Sequence, residues 1–389
     1  MQRTMTTLAL IGFAWIALGE CCRGQETQSL ILRIKAVGKE GAGNVEASKA
    51  FKQLVALGPD VMPDVLAGMN DANPIALNWL RAAVESIQDR AVNNGKTIPA
   101  AKIEAFLNDT RHSGPARRLA FECLAKDDRK APDRLLPKML DDPSAEIRRD
   151  AVAAELARVK LHAAVDTQMK LYQKLLTHAR DRDQINTITE HLKNDHGIDI
   201  DLINHFGFVT RWLLVGPFDN AKGVGFSAVY APEKSVDIQA TYAGKNDQKV
   251  KWREYTAGMP KKKKIANEDL AVVDFNEAVG KLKGTVCYAY AAVTSETERP
   301  VEIRVGSNNA VRFYLNGKDV YFREEYHHGF EMDQHVGKGT LKAGRNEILV
   351  KVCQNEQTDS WAELWSFQLR ICDHLGAAVP VVNVTGKVN

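Results

Sequence analysis

Two stretches of the chain crowd chemistry-bearing side chains together: Arg323-Glu324-Glu325-Tyr326-His327-His328 with Phe330 and Asp333, and Asp359 with Trp361 and Glu363. Aromatic faces cover the apolar side of a pyranose while a few polar groups fix its hydroxyls, so this mixture suits a carbohydrate. Arg323, Glu325, Tyr326, His327, His328, Asp333 and Trp361 are therefore the candidate ligand-binding residues. The competing reading is structural. Tryptophan is usually mostly buried, so Trp361 and Trp365 would cover the rim of a core and the charges would be solvated. The acids also invite comparison with a glycosidase. Neighbours on a strand point to opposite faces, so Glu324 and Glu325 cannot both flank one bond if that part is extended. No catalytic residue is assigned.

Other chemistries are excluded by pattern. His178, His191, His196 and His205 show no H-E-x-x-H spacing and have no cysteine beside them, and no zinc ribbon or CxxC pair occurs, so no metal is assigned. The absence of a GxxxxGK[ST] loop and a GxSxG elbow leaves no cofactor or nucleophile motif. With 52 Lys plus Arg against 49 Asp plus Glu, a net charge of +3 gives no field that would gather nucleic acid. Lys261 to Lys264 is the one dense charge run and reads as an exposed loop, with anionic polymer or lipid headgroups as its alternative partners.

The elements that must position the candidate residues divide the chain of 389 residues in two. From residue 25 to 165 apolar residues recur at three and four, as in Leu80, Ala83, Val84 and Ile87. Three stretches align: Met69-Asn70-Asp71 leading to Leu80-Arg81-Ala82-Ala83-Val84, Leu107-Asn108-Asp109 leading to Arg118-Leu119-Ala120-Phe121, and Leu140-Asp141-Asp142 leading to Arg148-Arg149-Asp150-Ala151-Val152. The interval of roughly 31 to 38 residues lies in the range of helical arrays. In the turns at 71–74 and 141–144, proline would stop one helix and Asp or Ser would cap the next. Arg149 and Asp150 read as a solvated or inter-repeat ion pair. Residues 166–205 stay helical without the repeat and read as an adaptor.

At Arg211 the apolar period becomes 2. Strands are expected at Thr285–Val293, Val301–Val305, Val311–Leu315, Val320–Phe322, Ile348–Val352 and Phe367–Ile371, with one wet and one dry face. Trp212 to Val215 would enter a turn at Gly216-Pro217, and Asn316-Gly317 is a hairpin signal because both positions need positive φ. Cys353 and Cys372 would fall on consecutive strands of one hairpin, several rungs apart and beyond disulfide reach, so buried free thiols are expected. The fold class is thus multidomain α then β: a short α-solenoid of helix pairs, then an antiparallel β-sandwich or jelly roll over 206–389.

These residues carry resemblances. The aligned helical stretches resemble a short HEAT-type solenoid, which implies a surface for a protein partner. The run Ser307 to Lys318 (SNNAVRFYLNGK), followed by Leu341 to Val352 (LKAGRNEILVKV), resembles the core of galactose-binding-like jelly-roll modules. Arg211 to Asp219 (RWLLVGPFD) is similar to the first strand of such domains in exported bacterial proteins. The likeness specifies turns and core strands, so it speaks to fold more than to ligand.

Arg3, the apolar run Leu8 to Leu18 and the small residues after it read as a signal peptide over 1–24, too short to span a bilayer as a permanent anchor. Export to the periplasm or beyond the cell is expected, with acylation at Cys21 or Cys22 as a lesser alternative, since Glu20 stands where a lipobox wants a small residue. The functional expectation is a non-catalytic exported binding or scaffold protein whose helical repeats take a protein partner and whose jelly roll takes carbohydrate or protein. One alternative is a carbohydrate-targeting component of a polysaccharide-degrading system. A second is a hydrolase with a site at the domain junction.

Overall fold

A computed structural model describes residues 23–161, 164–258 and 270–386. Residues 1–22, which carry most of the expected signal peptide with Cys21 and Cys22, and the Lys261 to Lys264 run lie outside the described residues. The chain divides at His196/Gly197 into two compact units, helical and then β.

The first unit contains α1 (23–35), α2 (Asn44–Ala56), α3 (Met62–Gly68), α4 (Pro74–Asn93), α5 (Ala100–Asn108), α6 (Gly114–Asp127), α7 (Ala131–Leu135), α8 (Ala145–Val159), α9 (Val165–His178) and α10 (Arg182–His196). The spacing of Leu80, Ala83, Val84 and Ile87 on α4, and of Leu119, Ala120, Cys123 and Leu124 on α6, places them in one continuous core. The turn chemistry differs from expectation. Pro74 opens α4 rather than ending a helix, and Asn73 is the cap, its Oδ1 accepting from the amides of Ile75 and Ala76 at 3.0 Å each. Ser144 makes no side-chain cap to α8; Asp142 accepts from the Ser144 amide and is buried against Arg117.

Successive helices are joined by a ladder of ion pairs. Arg81 on α4 meets Glu122 on α6, Arg118 on α6 meets Asp150 on α8, and Arg149 on α8 meets Asp183 in the first turn of α10 and Asp181 just before it. Arg149 and Asp150 therefore each bind a different helix and not one another. Amides follow the same route: Gln88 donates to the Cys123 carbonyl at 2.8 Å, and Gln184 to the Arg149 carbonyl at 2.7 Å.

The second unit opens with α11 (Leu202–Phe206) and β1 (Arg211–Asp219). An excursion then carries α12 (Val224–Ser227), α13 (Ala231–Lys234), β2 (Thr241–Ala243), β3 (Lys249–Lys251) and β4 (Arg253–Thr256). β5 (Val273–Asp274), α14 (Phe275–Val279), β6 (Thr285–Ser295), β7 (Arg299–Ser307), β8 (Ala310–Leu315), β9 (Lys318–Arg323), β10 (His335–Leu341), β11 (Gly344–Gln354), β12 (Ser366–Cys372) and β13 (Val382–Asn383) complete it. The larger antiparallel sheet runs β4-β1-β6-β11-β8-β9, with β13 also on β6, and the smaller runs β10-β7-β12-β5. All six expected strands fall inside β6, β7, β8, β9, β11 and β12, and Asn316 and Gly317 close the β8–β9 hairpin at φ 52° and 75°.

Three expectations change. Gly216-Pro217 is a cis peptide inside β1 at a register shift between Val215 and Phe218, not a turn. The central strands are not wet on one face. Trp212 packs edge-on against Phe367 between the sheets, while Val286, Tyr288 and Tyr290 of β6 face outward and are covered by Phe226, Tyr242 and Trp252 of the excursion. A strand buried on both faces reads as the near-continuous apolar run of β6. Cys353 and Cys372 lie in different sheets, Cys353 opposite Val286 and Ala310, and Cys372 opposite Glu302. Both are free and buried, as are Cys123 and Cys287, and burial pushes the Cys353 thiol up to about 12. The β10 strand was not anticipated; Gly337 and Gly339 break its apolar pattern because Phe313 and Leu315 press where a Cβ would stand, at 2.6 and 2.7 Å.

Candidate functional site

The loops after β9 and β11 meet at one end of the sandwich. Tyr326 accepts from Asn220 Nδ2 at 3.2 Å, and His327, at φ 57°, pairs through Nε2 with Asn355 Oδ1 at 2.6 Å. The His327 ring meets the Trp361 indole edge-to-face at 5.6 Å between centroids. Trp361 stands 60% exposed in the single turn Ser360–Ala362, whereas Trp365 is fully buried. The rim-covering expectation holds for the second tryptophan and not for the first.

What holds Trp361 outward is a buried polar floor. Gln354, fully buried at the end of β11, donates through Nε2 to the carbonyls of Ala362 and Leu364 at 3.2 and 3.3 Å. Its Oε1 accepts from Asn309 Nδ2 and the Asn355 amide at 3.0 and 3.1 Å. Lys283 donates to the Ala362 carbonyl at 2.7 Å, and Asn276 to that of Glu363 at 2.9 Å. The loop is thus tied down at Asn355 where it leaves β11 and at residues 362–364 directly after the exposed indole, and its preorganisation removes an ordering cost from ligand binding. Gln354, Asn309 and Asn220 escaped sequence reasoning. The signal at Gln354 is a polar residue where the period of 2 calls for an apolar one, which becomes informative once both faces are known to be covered; Asn220 and Asn309 stand just outside β1 and β8 and carry no such signal.

The other candidate residues fall elsewhere. Arg323 and Glu325 form an exposed ion pair whose guanidinium lowers the Glu325 carboxyl. His328 sits edge-on to His335 at 5.6 Å. Burial, helped by the neighbouring His328, brings His335 down to about 4, so it is neutral at pH 7. Asp333 lies on the outer face of the smaller sheet, where Arg370 and Arg304 both grip it; Arg304 also pairs with Glu302. Burial raises the Asp333 carboxyl, but the two arginines outweigh it and the net direction is down. Glu324 and Phe330 neighbour the group; Asp359 is exposed, and Glu363 pairs with Lys281 at 3.2 Å. Tyr326, His327 and Trp361 are therefore the candidates brought together.

A second charged cluster was not foreseen. Lys351, fully buried on β11, donates to the carbonyls of Phe226 and Ala228 and to Glu233 at 2.9 Å, while the hydroxyls of Tyr288 and Tyr314 close on the same carboxylate. Burial raises Glu233, yet these donors leave it below the ordinary carboxylate range. The cluster clamps α13 onto the larger sheet. Among the described residues no group of three or more His, Cys, Asp or Glu is arranged to hold a metal. Of the four histidines of the helical stretch, His178 bonds Asp141, His191 bonds Asp195 and stacks on Tyr172, His196 tilts against the same Tyr172 ring at 6.2 Å, and His205 packs on Phe206.

No family model and no curated protein sequence matches the chain. Among solved structures it is similar to a PA14 sugar-binding domain from an RTX adhesin, at 12% identity over 45% of this chain and 96% of that one, TM-score 0.24. A second likeness is to the Epithelial Adhesin 9 A domain from Candida glabrata in complex with Galβ1-4GlcNAc, at 7% identity over 46% and 87%, TM-score 0.23. A third is to a GH31 alpha-xylosidase from Xanthomonas citri, at 12% identity over 42% of this chain but 17% of that one, TM-score 0.21. Similarity at this level assigns no function.

Proposed function

We propose that the β unit is a carbohydrate-binding module and that the chain is a non-catalytic, exported binding protein. The observation that carries this reading is Trp361: a large apolar face, 60% exposed, on a loop fastened from beneath by Gln354, Lys283 and Asn276. An indole held in water at such a cost in exposed apolar surface matches a pyranose face, and Tyr326, His327 and Asn355 beside it supply polar partners for hydroxyls. The carboxyls of Glu233, Glu325 and Asp333 are all held low by hydrogen bonds or cations, whereas a general acid for glycoside cleavage needs a raised value. That speaks against these three carboxyls as the general acid of a glycosidase.

The helical unit is read as a protein-binding surface, with an apolar depression of about 350 Å³ lined by Phe51, Ile75, Trp79 and Ala82. Export rests on residues 1–24 and is checked by the mass of the mature N-terminus. A glycan array with the full chain tests the main reading. Binding to one or more glycans, weakened at least about tenfold by Trp361→Ala, is expected. Absence of glycan binding, or binding indifferent to Trp361→Ala, overturns it.

A further inference from the structure

The β unit also carries a groove of about 1220 Å³ between the β2–β3 hairpin and the segment that follows α14. Its lining carries Lys245, Lys249, Lys251, Arg253 and Lys283 against one carboxylate among the described residues, Asp247. With Asp247 counted, the lining's net charge of +4 exceeds the +3 of the whole chain. Lys249 and Lys251 flank the buried Val250, so both project from the exposed face of β3. Arg253 and Lys283 are held by the carbonyls of Ala278 and Ala362, which orient them, and the Glu363 and Asp359 carboxylates lie within electrostatic reach of Lys283. Lys245 is anchored by two carbonyls, with Asp219 at 3.6 Å.

We infer that this groove binds an acidic polysaccharide, one bearing uronate or sulfate groups. Cations at spaced positions along an open groove, three of them held by carbonyls, complement a chain of spaced anions. A nucleic acid is the less suitable polyanion, because single strands need free aromatic faces on which to stack bases. The groove's aromatics are already engaged: Trp252 is half-buried against Tyr290 and bonds the Tyr242 hydroxyl at 3.3 Å. Asn246, Gln248 and Thr241 line the same groove and suit sugar hydroxyls. Lys283 belongs to the groove and also fastens the Trp361 loop, so the two surfaces adjoin. The inference rests on the carbohydrate reading of this unit and adds a charge to the ligand.

The experiment compares retention of the full chain on immobilised polygalacturonate and on its fully methyl-esterified form, which shares the backbone without the charge. Wild type, Trp361→Ala and the double variant Lys249→Glu/Lys251→Glu are run, with a single-stranded oligodeoxynucleotide as a further probe. Binding to the acid form roughly tenfold tighter than to the ester is expected, weakened by salt and reduced about tenfold or more in the double variant. Both lysines are exposed, so a thermal midpoint equal to wild type verifies that the variant is folded. Equal affinity for acid and ester, failure to bind the acid, unchanged binding in the double variant, or equal retention of the oligonucleotide each overturns the inference. Equal binding of both polymers that Trp361→Ala abolishes sinks the groove and leaves the rim. Loss confined to the double variant does the reverse.

Discussion

The helical and β units place charge by opposite means. In the helical unit, Arg81–Glu122, Arg118–Asp150 and Arg149–Asp183 lie along the exposed or half-exposed edges of neighbouring helices, and the partners are separated by 41, 32 and 34 residues. Only Arg117–Asp142 among the described pairs of that unit is buried on both sides. In the β unit, beside exposed pairs such as Arg323–Glu325, two clusters are drawn inward: Lys351 meets Glu233 in full burial across 118 residues, and Asp333, largely buried, is gripped by Arg370 and Arg304 across 37 and 29. An exposed pair trades water for a partner at little net gain, whereas a buried one makes each member indispensable to the other. Charge in the first unit decorates a packing already set by its apolar stripe. In the second it locks segments that the apolar pattern alone leaves loose.

That contrast can be broken. The largest effect is expected for Lys351→Met, which strands Glu233 and frees two carbonyls; the β unit should lose about 3–5 kcal/mol, read from denaturant unfolding through the fluorescence of buried Trp212 and Trp365. Adding Glu233→Met should restore part of the loss. A deficit as large in the double variant would show that α13 is held by packing instead. Arg117→Ala should cost a similar amount in the helical unit, followed by far-ultraviolet circular dichroism, because it leaves Asp142 buried and unpaired.

Gln354→Leu should cost about 1–3 kcal/mol and release the loop on which Trp361 stands, so glycan affinity should fall even though the indole remains. Unchanged affinity would separate the floor from the site. For pH, the folded value of His335, about 4, lies below its ordinary 6.5, so the unfolded chain takes up the proton first. Its contribution is intact above about 6.5 and is lost as pH falls from there toward 4; His335→Phe should flatten that slope in thermal scans. The smallest effect is expected for Arg149→Ala, within about 1 kcal/mol. A loss approaching that of Arg117→Ala would make the ladder a structural clasp and erase the distinction drawn above.

Trp361, Tyr326 and His327 were legible because aromatics clustered between strands are unusual whatever the fold. Their supports were not. Gln354 and Asn220 look like strand-end polar residues in the sequence, and only the arrival of the 355–365 loop and the Tyr326 side chain gives them partners. Asp333 shows the converse: as a loop acid it reads as free, yet Arg304 and Arg370 reach it from β7 and β12.

By itself, the sequence determined the passage from helices to strands, the six strands placed in β6 to β9, β11 and β12, the change of period at Arg211 and the Asn316-Gly317 hairpin. These depend on spacing within one segment and on backbone sterics that neighbours obey locally. Tertiary structure alone decided that the outer face of β6 is covered, that Cys353 and Cys372 part into separate sheets, and that one tryptophan is buried while the next stands in water. Each of those outcomes turns on which distant segment arrives at a face, and a side-chain period of 2 says that a residue has two sides without saying what will cover them.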